Sequence, residues 1–421
     1  MVIAKAAAPG RNPNPSKSVQ ENMDDYVMAS GLLARQERHE LQVQTGVASV
    51  DVPSTSPDWI NQRSLAYEEA LLSAETEYVM EQGTRIAADA ITQLYQAGKQ
   101  DPPPYDKNQT PGQSAELVRK ILALGNAQVD AELQKMGVDP KQYADEPEPQ
   151  RYTQLSKSLI DKSFEHAFAD IAGLTPVQTF EGTDGKGNDE IGVVTVVSSK
   201  MKRFAQEVQR AHGEFTPDPS KAQELDKAIG DQAALLHTFG VRRMFDENGL
   251  PVIVSFAQWA PAGSGDEDPA VGGAYRQAAF SQAVSRADAQ IANFLAGSAD
   301  FKDNSETGKK LEKIAERMLD GYIKQNAATK DVINGMMQEM RTHADLSITG
   351  LTTAKKWSTK YPENGHPIVG VVRVWSAGGE KAIRELRDGR PGASPAATSA
   401  TPPNGKPGVT SGPELMKPDD F

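Results

Sequence analysis

Apolar and polar residues alternate from Leu41 to Val52, which predicts a strand ended by Pro53 and Pro57. The period then lengthens. Tyr67, Ala70, Leu71, Ala74 and Tyr78 fall on one helical face within a predicted helix from about Ile60 to Gln96. Upstream, Pro9, Pro13 and Pro15 predict an unfolded leader over residues 1–16, followed by a helix capped by Ser16 and running to about Gln36. Downstream, Asp101 to Gly112 is a Pro-rich break. Helical patterns follow at Ser114 to Met136 and Tyr152 to Phe168, separated by a second break from Pro140 to Pro149. Val177 to Phe180 and Ile191 to Val197 read as two strands joined by a Gly-rich turn, Gly182 to Asn188, with a short helix from Lys200 to Arg210 behind them.

A similar order returns. After a linker with Pro217 and Pro219 comes a helix at about 220–237, a strand from Pro251 to Trp259, and helices at about 273–296 and 306–343. Strands at about 346–357 and 368–375 and a helix from Glu380 to Leu386 close the pattern. The return is visible in the residues themselves. His166 to Thr175 aligns with His343 to Thr352 at an offset of 177, and His166, Gly173 and Leu174 match His343, Gly350 and Leu351. Phe180 aligns with Trp357 at the same offset. Ile191 to Ser199 aligns with Val369 to Ala377 at an offset of 178. A weaker match pairs Ala66-Tyr67 with Ala274-Tyr275 at an offset of 208, which places an insertion in the first copy at about residues 100–150.

The expected fold is α+β: two related modules, each a small antiparallel sheet packed against long Ala-rich helices, with disordered ends. The boundaries expected are a leader and helix over 1–40, a first module over 41–211, a linker helix over 212–240, a second module over 241–390 and a disordered tail over 391–421. Gly173 and Gly350 lie between a helix end and a strand, where a left-handed residue is commonly required. His166 and His343 lie near helix C-termini, where an imidazole suits the dipole and caps carbonyls.

Composition narrows the chemistry. The chain has 421 residues, a formal net charge of −12 and no cysteine, so thiolate metal sites, disulfides and cysteine nucleophiles are excluded. Arg242-Arg243, Lys309-Lys310 and Lys355-Lys356 are short, scattered basic pairs that read as solvated faces, so no nucleic-acid surface is expected. No apolar run approaches the ~20 residues of a membrane span, and the first ten residues lack the apolar core of an intact signal peptide.

The six histidines (39, 166, 212, 237, 343 and 366) show no metal spacing, and no cofactor motif is present. Gly263 to Asp268 begins like a dinucleotide loop, but acids follow where a third glycine is needed. Asp184 to Glu190 offers oxygen ligands without EF-hand spacing and reads as a hairpin turn. Ser199 to Lys202 fits a Ser-x-x-Lys pattern without its partner motifs. Glu68, Glu69, Glu75 and Glu77 read as solvated helix surface. Trp259, Trp357 and Trp375 either pack in a core or anchor a partner.

The second copy, with Ala274 to Leu295, Ile348 to Leu351, Trp357 and Val369 to Trp375, resembles the lipoprotein-twenty type module. A similar module occurs in the N-terminal part of flagellar assembly protein T. The resemblance spans about two thirds of the chain and rests on small, apolar and turn residues. It implies a non-enzymatic protein of the bacterial envelope that packs against neighbours, with a periplasmic or envelope location. The expectation is a structural or assembly protein with protein partners, as a homo-oligomer or in a larger assembly. Two other readings stand beside it. One is an enzyme or small-ligand protein with its site between the modules. The other is a phage- or plasmid-encoded virion or conjugation component.

Overall fold

The structure is a computed structural model. It describes residues 18–99, 127–135, 138, 139, 141, 147, 155, 158, 162–164, 166–183, 189–211, 214–263, 268–295, 333–335, 337, 338 and 349–387. The expected leader, the tail over 391–421, most of the insertion at about 100–150 and most of the helix over 306–343 lie outside these residues. So do His343, Lys309-Lys310, the turn over 184–188 and the loop over 264–267.

The chain is α+β, with two antiparallel sheets. It divides into two compact units. The first comprises Met1–Glu75, Ala172–Ala296 and Ala344–Phe421 and holds both sheets. The second comprises Thr76–Ile171 and Gly297–His343.

The first unit begins with α1 (Val19–Ala29), α2 (Leu32–Glu37) and β1 (Leu41–Ser49). Ser18, two residues beyond the expected Ser16, closes a capping box with Glu21. Gly31, at φ 77°, separates α1 from α2 and breaks the single helix expected here. Next comes α3 (Trp59–Ala97), whose first part belongs to this unit and whose remainder, from Thr76, to the other.

After α4 (Ala127–Lys135) of the second unit, β2 (Thr175–Thr183) and β3 (Asp189–Ser198) complete a sheet of order β1-β3-β2, and α5 (Ser199–Ala211) follows. The linker helix expected over 212–240 is instead a single 3₁₀ turn at Pro219–Lys221 and two short helices, α6 (Leu225–Ile229) and α7 (Gln232–Leu235). Gly230, at φ 90°, separates α6 from α7.

A second sheet follows from β4 (Gly240–Phe245), β5 (Pro251–Trp259), β6 (Leu351–Lys360) and β7 (Pro367–Ser376), in the order β4-β5-β7-β6. The helix α8 (Pro269–Leu295) separates β5 from β6, and α9 (Ala377–Arg387) ends the fold. Omitting β4, the orders β1-β3-β2 and β5-β7-β6 are the same topology.

Local detail repeats with it. The β2–β3 register shifts between Pro176 and Gln178, and the β6–β7 register shifts between Thr353 and Lys355, the positions 177 residues on. Gly173 has φ 80°, and a Cβ there would lie 2.5 Å from the Met201 backbone. Gly350 has φ 92°, and a Cβ there would lie 2.5 Å from the Glu380 amide. Ser198 accepts a bond from the Met201 amide (3.2 Å) and Ser376 from the Gly379 amide (3.1 Å), so α5 and α9 begin with the same cap. A positive-φ glycine, a bulge and a serine cap therefore recur together.

The helices correct one part of the repeat. Gly46 of β1 lies so close to α3 that a Cβ would meet the Ala70 carbonyl oxygen at 2.0 Å and the Ala74 amide at 2.9 Å. By register, Ala257 of β5 takes the place of Gly46, and it clusters with Ala283 and Ala287 of α8. Ala70 and Ala74 thus correspond to Ala283 and Ala287, an offset of 213. The Ala66-Tyr67 match at 208 joins a buried tyrosine to the exposed Tyr275, positions with different surroundings.

Within the first unit the layers run α1, first sheet, α3, second sheet, α8. Val19 and Met23 pack on Phe180 and Val194, while Ala70 and Ala74 meet Val193 on the opposite face. The same α3 meets Val254, Phe256 and Val372 of the second sheet in one core. A helix covered on two sides has little wet face, so Glu75 is buried, against the expectation of a solvated position. Glu68 pairs with Arg286 of α8. Arg242, also expected in solvent, is buried because β4 adds to the second sheet and turns it inward.

The second unit surrounds the later part of α3. Thr76 Oγ1 donates to Asn334, and the Tyr78 hydroxyl to the Asp170 carbonyl (3.5 Å). Gly83 lets Phe164 lie against the helix, since a Cβ would come within 2.8 Å of its ring. Among the described residues no helix is long and apolar enough to cross a membrane.

Candidate functional site

The densest meeting of charged and aromatic side chains described in the first unit centres on Arg63, in the second turn of α3. Arg63, Tyr67, Ala70 and Ala74 fall at i, i+4, i+7 and i+11 along one face of α3, with Ala70 and Ala74 against Gly46 of the first sheet and Arg63 reaching Glu181 of β2 and Gln258 of β5. Arg63 is fully buried. Its Nε donates to Glu181 Oε2 (2.6 Å) and its Nη2 to Glu181 Oε1 (2.5 Å) and the Leu236 carbonyl (2.7 Å). Its Nη1 donates to Gln258 Oε1 (2.9 Å). Gln258 Nε2 in turn donates to the carbonyl of Leu235 (2.7 Å). The guanidinium carbon lies 4.7 Å from the Phe239 ring centre, 5.0 Å from Tyr361 and 5.9 Å from Trp59. His237 Nδ1 approaches Glu181 Oε1 at 3.1 Å, and its ring meets Tyr361 edge-on. The Trp59 indole N–H donates to Asp189 Oδ2 (2.7 Å).

Electrostatics follow from this packing. Burial alone would raise the Glu181 carboxyl, but Arg63 and then His237 outweigh it and hold it down from 4.5 to about 2. Burial by itself would lower the Arg63 guanidinium, and Glu181 reverses that, so its charge is reinforced. The Tyr361 hydroxyl is raised by burial first and by Glu181 second. Glu363, on the turn after Tyr361, is raised by partial shielding and then by the Glu181 carboxylate. The cluster is therefore a fixed ion pair inside an aromatic wall. It joins α3 and β2 of the first repeat to the 235–239 segment, β5 and Tyr361 of the second.

The residues singled out from sequence lie elsewhere. Trp375 is fully buried, and its indole N–H donates to Glu380 Oε2 (2.9 Å). Trp357 is buried over Gly370, where a Cβ would meet its ring at 2.2 Å. Trp259 is half-buried under the Arg286 guanidinium, 4.0 Å from the ring centre. Leu174 is buried, and Leu351 is half-buried beside the Trp375 cluster. His166 is exposed and lies in the second unit. Sequence reading missed Arg63, Glu181 and His237. Their separations of 118 and 56 residues leave no local pattern. The one available signal was an arginine a turn ahead of Tyr67, on the flank of an apolar helix face. Among the described residues no group of histidine, aspartate and glutamate has the arrangement to hold a metal ion.

A family model described as a domain of unknown function (DUF6844) matches residues 114–210. That stretch contains β2, β3 and nearly all of α5. No curated protein matches the chain. Among solved structures, the crystal structure of a hypothetical protein from Francisella tularensis is similar, with a TM-score of 0.51 and 22% identity over 88% of this chain and 95% of that one. This likeness is one of fold, and neither description names an activity, ligand or partner.

Proposed function

We propose that this chain is a structural or assembly protein that works through protein–protein contacts. The observation that supports the reading most is the saturation of the Arg63 cluster. A catalytic or ligand-binding guanidinium needs donors aimed at a substrate. Arg63 instead places Nε, Nη1 and Nη2 on acceptors of its own chain, and both Glu181 oxygens accept from it. The group ties two repeats together. The resemblance to lipoprotein-twenty modules adds the setting: a machine of the bacterial envelope, in which the chain acts as a homo-oligomer or in a larger assembly. Size-exclusion chromatography with light scattering on the full chain, together with affinity capture from cell-envelope extracts, tests the reading. Self-association or capture of a specific envelope partner is expected. A strict monomer that captures none would overturn it.

A further inference from the structure

A second buried arginine is satisfied very differently from Arg63. Arg242 lies on β4, which among the described residues is an edge strand paired with β5 alone. Alternation along β4 turns Arg242 to the same face as Met244, opposite Val254 and inside the apolar core. Only 2% of its surface is exposed. Its neighbour Arg243 faces the other way, half-buried against the Phe204 and Phe245 rings. Among the described residues Arg242 makes one hydrogen bond, from Nη1 to the Val241 carbonyl (2.9 Å), and its Nε is buried without a partner. Nε and Nη2 form one edge of the guanidinium, and that edge takes a carboxylate through two parallel bonds.

No carboxylate among the described residues answers this charge. The ionisable groups that act on it are the phenols of Tyr67 and Tyr26. Burial disfavours the charged form, yet a guanidinium does not give up its proton in a protein. A buried, unpaired cation carries a heavy desolvation penalty unless a counter-charge reaches it. Arg63, also buried in the same unit, shows that this chain can supply a carboxylate where one is wanted. At Arg242 the described residues supply an apolar wall and two phenols. Tyr67 is held there by contact: its hydroxyl lies so near Gly240 that a Cβ would come within 2.0 Å of it.

We propose that Arg242 anchors a buried site for a small carboxylate monoanion, bound side-on through its Nε–Nη2 edge. One positive charge among neutral groups matches one negative charge. A phosphate dianion would leave a net negative charge in the core. The position on an edge strand gives the ligand a route through local opening of β4 rather than of the whole sheet. The site goes beyond the assembly function, which does not depend on it.

Thermal unfolding of the full chain in a non-coordinating buffer tests this, with sodium formate, acetate, chloride or phosphate added at matched ionic strength. Formate or acetate should raise Tm saturably, by about 3 °C at a hundredfold excess over Kd. Chloride and phosphate should not. Arg242→Met, which removes the charge but keeps the length, should fold and lose the response. Arg242→Lys, a point charge without the two-bond edge, should weaken apparent carboxylate affinity at least about tenfold. Equal shifts with all four salts, or a carboxylate response retained in R242M, would overturn the site. Should R242M fail to fold, the wild-type protein still decides. The Arg242 Nε–H resonance in arginine-labelled protein, assigned by its loss in R242K, must move as formate is titrated, and a static resonance rejects the proposal.

Discussion

In the first repeat, the space left by Gly192 is filled from outside the sheet by Val19 and Met23 of α1. In the second, the equivalent Gly370 is filled by the indole of Trp357, directly across from it on β6. The first repeat has three strands, whereas the second has gained β4 along its free edge. Beneath these differences the positive-φ glycine, the bulge and the serine cap are shared. Backbone devices have few substitutes, because only glycine avoids a Cβ where the chain crosses another backbone. Side-chain cover has many, because any apolar group of suitable volume fills a gap. A diverged duplication therefore keeps its turns and caps and changes what packs over them.

The comparison can be broken most severely where the repeats are tied together. Arg63→Ala should lose about 3–5 kcal/mol in denaturant unfolding, because it leaves the Glu181 carboxylate enclosed without its partner. If the Arg63–Glu181 double replacement by Met and Gln is no less stable than R63A, the loss comes chiefly from the stranded charge. The same pair predicts a pH dependence. Glu181 is held below its usual value, so its stabilisation is complete above 4.5 and fades as pH falls toward about 2. Unfolding free energy followed across that window should fall more steeply in the wild type than in Glu181→Gln.

Trp357→Ala tests the private cover of the second repeat. It should cost about 3–5 kcal/mol, since it opens a cavity over Gly370. A loss below about 1 kcal/mol would show that the sheet closes over the gap. Gly173→Ala and Gly350→Ala sharpen what is shared. Each combines a positive φ with a backbone clash, and each should cost about 2 kcal/mol or more. Clearly unequal losses would break the equivalence of the two crossings. The smallest effect belongs to the caps: Ser198→Ala and Ser376→Ala should each cost about 1 kcal/mol, measured the same way.

Much of this was legible in the chain. Alternation located β1, β3, β5 and β7, and the Gly-Leu-Thr and Gly-Val-Val matches located the repeat, because turns and buried strands are written in contiguous residues. The helix alignment at 208 misled, since an Ala-Tyr pair carries no information about which face meets a sheet. β4 and the buried state of Arg242 were also missed. Val241 to Phe245 is short and carries two arginines, which suit a wet surface equally well.

By itself, the sequence determined where the chain turns, which strands are half or wholly apolar, and that one module occurs twice. These depend on a residue and its near neighbours. Only the tertiary structure decided that α3 is covered on both sides, that Arg63 finds Glu181 across 118 residues, and that Arg242 is buried with its Nε unpartnered among the described residues. A charged side chain's role depends on what surrounds it after folding, and neighbours brought together over such separations leave no spacing in the chain.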